Sequence, residues 1–373
     1  MKKVTPKPEQ PPKEKPTHAF SFRKFLPLLM LVVFSVAILV IVLPRLPKKP
    51  PETSPKHYQG VLEMWNVESF EGGSGSRQSW ITSRAAQFEK THEGLFVHVT
   101  TLNQNQLAEK LDNGETFDLI CFSRGAGCLV QNALQPYTGS VADIRENILV
   151  SGQVSGKVYA LPIYAGAYCL FARESQLEPN TQLLDTVLTN TYTRKVGKNT
   201  FELAPLTCGF TESNSPVSAL ALSGVKGKCQ LSESVTQFQA YENFVANKTA
   251  VTLLGTQRDL YRLGKREENG KIEKLTFAPL CGYTDLVQYV GLSAACGDKT
   301  DSATEFMQFL VQSATQQTLV NINMFSVLEQ TLYTNERYLA CEQGLAKAYV
   351  PNVFGDKAAV TEQRKTALAT LNM

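Results

Sequence analysis

The chain is poor in histidine and tryptophan, with four and two among 373 residues. His18 and His57 fall in polar flanking segments, so His92 and His98 alone cannot build a His-rich metal centre. Eight cysteines are present, yet none forms a Cys-x-x-Cys pair, which removes zinc-finger spacing. No metal and no cofactor is expected. The glycine-lysine pairs lack the phosphate-binding pattern: Gly156-Lys157, Gly227-Lys228 and Gly270-Lys271 are followed by Val158, Cys229 and Ile272 instead of Ser or Thr. The run GGSGSR over 72–77 fits neither a dinucleotide fingerprint nor a nucleophile elbow. Nothing marks a Ser-His-Asp triad or a catalytic carboxylate pair, so the expected role is not enzymatic.

An excess of positive charge is also missing. Lys+Arg is 37 against 34 Asp+Glu, a net +3. Residues 1–24 hold seven basic and two acidic residues, and 44–57 hold four and one. The rest, 58–373, is therefore net −5. A mildly acidic body argues against a nucleic-acid partner, which needs a basic face. With 43% apolar and 19% charged residues the chain is not disordered. The body from 58 onward is long enough for one large core or two.

What is present begins with Phe25–Leu43, FLPLLMLVVFSVAILVIVL, 19 residues without a charge. As a helix it would span about 28 Å, close to the hydrocarbon thickness of a bilayer. The alternative is a cleaved signal peptide. Against it, 24 Pro- and Lys-rich residues precede the run, no small-x-small site follows it, and no lipid-attachment cysteine precedes Cys121. The expectation is one uncleaved transmembrane helix over 25–43. A basic cytoplasmic tail, 1–24, precedes it, and a Pro-rich spacer, 44–57, follows it. Five prolines favour an extended spacer of about 40 Å. The eight cysteines all lie in the body and allow many pairings. Cys121 and Cys169 fall inside apolar strands and read as small buried hydrophobes.

The body alternates strand and helix patterns. Val61–Trp65, Leu95–Thr100, Phe117–Phe122, Val158–Leu161, Ala167–Ala172, Leu203–Thr207, Ala250–Leu254, Leu275–Leu280 and Val287–Ser293 read as strands. Between them, Ile81/Ala85/Phe88, Leu107/Leu111, Phe238/Tyr241/Val245 and Ala303/Phe306/Leu310 fall at helical spacing, with a further helix near Arg258–Leu263. Phe117–Phe122 is apolar almost throughout, as a parallel strand buried on both faces should be. The class is α/β.

Five stretches, in order, resemble the large extracellular solute-binding proteins of ABC importers, the maltodextrin-type class. They are RAAQFEKTHEGLFVHV, KLDNGETFDLICF, SGKVYALPIYAGAYCLFARESQL, YENFVANKTAVTLLG, where Asn247 replaces the family's usual Gly, and DSATEFMQFLVQSATQQ. The resemblance covers about 60–373. It implies a type II-like, two-lobed periplasmic-binding-protein fold, with 58–162 plus 287–373 as lobe 1 and 163–286 as lobe 2. It implies a small-molecule solute clamped by hinge closure, a monomer, ABC permease subunits as partners, and an extracytoplasmic main domain at the cell membrane.

Ligands in open α/β sheets sit beyond the carboxyl ends of strands, so the loops there hold the candidate site residues. The first loop, Asn66–Gln78, contributes Glu68, Phe70, Glu71, Gly72, Gly73, Ser74, Gly75, Ser76 and Arg77. Its glycines let backbone approach a ligand and its serines donate hydrogen bonds, whereas a simple helix cap needs one Ser. Ser123 and Arg124 follow the strand FDLICF, with a solvated Arg as the alternative. Trp65, Tyr164 and Tyr168 supply flat faces, with core packing as the alternative for Trp65 and Tyr168, and Phe325 lies in a segment that the resemblance places near the cleft. Aromatic faces beside charged ends suit a carbohydrate; an anionic solute held by Arg77 and Arg124 is the second option. A surface scaffold or adhesin and, last, a hydrolase on this fold complete the alternatives.

Overall fold

The computed structural model describes residues 58–67, 70, 73–177, 182–189, 192–228, 231–246 and 250–373, with Met30, Leu31, Ser35 and Val36. The chain divides into two units, 1–56 and 57–373. Apart from those four helical residues, the apolar run 25–43 lies outside the described residues, as do the tail and the spacer. Among the described residues no helix is long and apolar enough to cross a membrane.

The body contains two main sheets. The first is built from β1 (Gly60–Val67), β2 (Leu95–Leu102), β3 (Leu119–Phe122) and β4 (Leu134–Gln135). After a small hairpin of β5 (Gln153–Val154) and β6 (Lys157–Val158) the chain returns as β7 (Leu161–Ala165). The second sheet takes β8 (Tyr168–Arg173), β9 (Tyr192–Val196), β10 (Asn199–Cys208), β11 (Ala250–Thr256) and β12 (Leu275–Leu280). Strand β13 (Val287–Ser293) goes back to the first sheet.

The first sheet runs β2-β1-β3-β13-β4, with β7 also on β13. Strand β1 is parallel to β2 and β3, while β13 is antiparallel to its neighbours. Helices α1 (Arg77–Glu89) and α2 (Gln104–Asp112) provide the crossovers that parallel strands require. Helix α1 buries Trp80, Ile81, Ala85 and Phe88, the expected stripe extended by one residue.

The second sheet runs β12-β8-β11-β10-β9. Helices α3 (Pro216–Leu222) and α4 (Gln237–Val245) lie between β10 and β11, and α5 (Gln257–Glu268) follows β11. Both α4 and α5 begin with a capping box, Thr236/Gln239 and Thr256/Asp259.

The chain passes between the sheets at Gly166–Ala167 and at 281–286. A third segment joins this junction: Ala165 and Phe325 form an isolated bridge and exchange both backbone hydrogen bonds at 2.9 Å. Beyond α6 (Thr300–Leu310) and Phe325, the chain reaches the second sheet. Helix α7 (Glu336–Leu345) packs on β12 and α8 (Lys357–Leu371) on α3. The sequence division at 162/163, with all of 287–373 in lobe 1, is therefore amended. Residues 163–165 stay with the first sheet, and the last two helices cover the second, because their buried faces meet β12 and α3 there. Val158–Leu161, expected as one strand, divides between β6 and β7 around Tyr159–Ala160. One continuous apolar core runs through both sheets.

Candidate functional site

A cavity of about 360 Å³ opens at the carboxyl end of β1. Asn66 and Val67 from that strand line it, followed by Ser74, Gly75, Ser76, Arg77 and Gln78 from the next loop and the first turn of α1. Tyr164 of β7, Gln288 of β13 and Arg258 of the first turn of α5 complete it. Arg258 follows a second-sheet strand and Arg77 a first-sheet strand, so the two sheets meet across this space.

The loop is held from behind. Ser74 N–H donates to the Ile322 carbonyl at 2.9 Å, and Asn323 Nδ2 donates to Ser74 Oγ at 2.6 Å. Gly73 has φ +67°, and a Cβ there would collide with the Ile322 carbonyl, so glycine is required. Ser76 caps α1, accepting from Ser79 N–H at 3.1 Å. The Arg77 guanidinium lies 4.7 Å from the Phe70 ring centroid. Tyr164 is buried and meets Trp80 edge-on at 5.6 Å. Burial raises the pKa of its hydroxyl and the nearby Arg77 charge opposes that rise, leaving a neutral hydroxyl at the cavity wall.

Two helix amino-termini, at Ser76–Gln78 and Thr256–Arg258, meet this space. The two guanidinium groups favour negative charge, whereas the α5 start is already served: Gln257 N–H donates to the Ala167 carbonyl, Arg258 N–H to Thr256 Oγ1, and Thr256 N–H to Asp259. Among the described lining residues there is no carboxylate. The cavity size suits a small solute.

The sequence candidates divide. Ser74, Gly75, Ser76, Arg77 and Tyr164 line the cavity, while Gly73 and Phe70 support it. Glu68, Glu71 and Gly72 lie outside the described residues. Trp65 is buried, 5.0 Å from the Phe117 ring. Phe325 is fully buried against Tyr333. Neither of these rings lines the cavity, because core packing claims their faces.

Ser123, Arg124 and Tyr168 belong to a second, sealed place. Ser123 is buried beneath its own turn. Arg124 Nη1 donates to Tyr283 Oη at 3.1 Å. Asp285 accepts from the Tyr168 and Tyr283 hydroxyls, both at 2.7 Å, and from Ser215 N–H at 2.6 Å. Burial, then the Asp285 charge, holds both tyrosine pKa values well above normal. A Cβ on Gly125 would collide with the Ser213 side chain, so the loop after β3 touches the loop after β10 directly. This part of the junction is closed by protein atoms.

Sequence reasoning missed Asn66, Val67, Gln78, Gln288 and Arg258 as lining residues. A signal existed for Arg258: Thr256-x-x-Asp259 after an apolar strand marks a helix start at a strand's carboxyl end.

No protein-family model matches the sequence, and no curated protein shows significant sequence similarity to it. Solved structures do share its architecture. The GacH receptor of Streptomyces glaucescens, described unliganded and with acarbose, aligns over 84% of this chain and 94% of its own, with TM-score 0.58 and 13% identity. The maltotriose-binding protein of Thermus thermophilus aligns over 83% and 98%, with TM-score 0.51 and 15% identity. Iron-bound HitA from Pseudomonas aeruginosa aligns over 82% and 99%, with TM-score 0.52 and 12% identity. The body shares the two-lobed fold of these binding proteins.

Proposed function

We propose that the body captures a small anionic solute between its lobes and delivers it to an ABC-type permease, without chemical turnover. The fold neighbours support a solute-binding role. Their described ligands include a maltotriose and an iron, so the fold does not select the solute. The lining does. The observation that carries the reading is the convergence of Arg77 and Arg258 on one cavity from opposite sheets. An oligosaccharide site wants exposed aromatic platforms, and of the expected rings only Tyr164 lines this cavity. The preference therefore moves from carbohydrate to anion.

The placement proposed is an extracytoplasmic body, anchored by residues 25–43. Protease treatment of intact cells should release a soluble fragment of body size. A mature N-terminus downstream of Leu43 would overturn the anchor.

Native mass spectrometry of the purified full chain, followed by thermal-shift titration, tests the ligand class. Phosphate, sulfate, small mono- and dicarboxylates and maltotriose form the panel. At least one anion should raise the melting temperature in a saturable way, and maltotriose should not. A shift with maltotriose alone would return the site to carbohydrate. Conversion of the bound solute to a product would remove the non-enzymatic reading.

A further inference from the structure

Three cysteines meet beneath helix α7. Cys169 is the second residue of β8, paired with Gly255 of β11 and Pro279 of β12. Cys341 sits in α7, which packs on β12. Cys281 follows β12 and fills the space where Gly344 of α7 lacks a side chain. The Cys169 and Cys341 sulfurs lie 3.5 Å apart, and both residues are buried.

We propose that Cys169 and Cys341 form a disulfide when the chain folds in an oxidising environment, stapling the C-terminal segment to the second sheet. The sulfurs lie in contact at 3.5 Å and must close to about 2.0 Å for the bond to form. Each thiol gives up its proton, and the two sulfurs lose one electron pair as the S–S bond forms. A disulfide oxidant such as glutathione disulfide takes the electrons and protons and becomes two thiols. Burial bars reagents from the finished structure, and it pushes the Cys169 thiol pKa well up, so little thiolate exists there once folded. The bond therefore forms before β8 and α7 close over it, and afterwards resists reduction.

The pair is 172 residues apart in sequence, so the bond restrains a long stretch of unfolded chain. It also fixes where the last segment goes. After the Phe325 junction the chain leaves the first sheet, and the staple ties α7 beside the Gly166–Ala167 crossing.

Refolding the full chain in a glutathione redox buffer tests this, with alkylation under denaturing conditions and trypsin digestion without reductant. The expected product joins Val158–Arg173 to Tyr338–Lys347 and is two hydrogens lighter than the separate peptides. The oxidised protein should melt higher than the reduced one. Cys281→Ser should keep the link and Cys341→Ser should lose it. Complete alkylation of Cys169 and Cys341, or a link from either one to the Cys281 peptide, would overturn the assignment. The primary readout uses the unsubstituted chain, so a variant that fails to fold does not blunt it. The refolding experiment is also independent of where the cell places the body.

Discussion

Arg124 Nη1 lies 3.8 Å from Asp285 Oδ2 in the seam between the two sheets, and both side chains are buried. Asp285 collects three shorter donors, from Tyr168, Tyr283 and the Ser215 backbone. Removing an acceptor that serves so many buried donors costs more than removing one of them. Asp285→Ala should lower unfolding free energy by about 3–5 kcal/mol. Arg124→Met should cost about 1–3 kcal/mol, because three donors remain on the carboxylate. Urea denaturation of both variants checks the order; a larger loss for Arg124→Met would mean that the ion pair, not the hydrogen-bonded carboxylate, holds the seam.

In the cavity, Arg77→Ala and Arg258→Ala should each weaken the identified anion about 10- to 100-fold, the worth of one charge-assisted hydrogen bond. Added salt should reduce the wild-type affinity as well. Trp65→Ala should lower stability by about 3–5 kcal/mol, as loss of a buried ring does. Affinity in the part that stays folded should be unchanged. Titration calorimetry separates these cases, and unaltered affinity in both arginine variants would place the site elsewhere.

Gly73 and Gly114 both have positive φ, +67° and +73°, but only Gly73 is crowded, by Ile322. Alanine at Gly114 meets nothing within 4 Å and pays the backbone strain alone, about 1 kcal/mol. Gly73→Ala adds a collision, so about 2–4 kcal/mol is expected, with weaker solute binding as Ser74 shifts. Thermal melts of the two variants side by side give the comparison.

Glu342 is buried and accepts from the Leu332 and Tyr333 backbone N–H groups, both at 3.0 Å or slightly longer. Burial raises its pKa; the two N–H groups and Arg145 offset part of that rise. The folded state therefore holds its proton to higher pH than the unfolded chain. Its contribution is most favourable below the ordinary Glu value, near 4.3, and is lost as pH rises through the folded value. Glu342→Gln keeps an acceptor and removes the titration. A wild-type-minus-variant stability difference that stays flat from pH 4 to 7 would contradict this.

Part of this molecule could be read before folding. FDLICF announced a strand covered on both faces, and all four residues of β3 are buried. The Gly/Ser loop was legible because it holds more small residues than a cap requires. Arg124 was weighed as a cleft contact or a solvated side chain, and it is neither. Its partner Asp285 is distant in sequence, and no local pattern encodes that meeting. Trp65 lies in a strand whose burial differs from residue to residue, so the strand alone does not say that Phe117 claims its face. The β9–β10 hairpin escaped notice because residues 199–202 are exposed and break the apolar pattern. Helix α8 escaped because a buried arginine, Arg364, interrupts its apolar stripe of Val360, Ala367 and Leu371. Arg364 is accommodated by the Asn214 carbonyl and Glu233.

Strand β13 has a consequence for biosynthesis. It pairs with β3 through Val290–Cys121 and neighbouring residues, so one edge of β3 stays bare until Tyr289 to Leu292 have been made. At about 5–20 residues per second, that edge of the nascent chain waits roughly 10–30 s for its partner. An unpaired apolar strand is a template for association with other chains. The first lobe is thus completed late, although it is begun first. Truncation before Val287 should yield aggregates rather than a smaller soluble lobe, and a chaperone that shields extended apolar segments would have its longest engagement with this stretch.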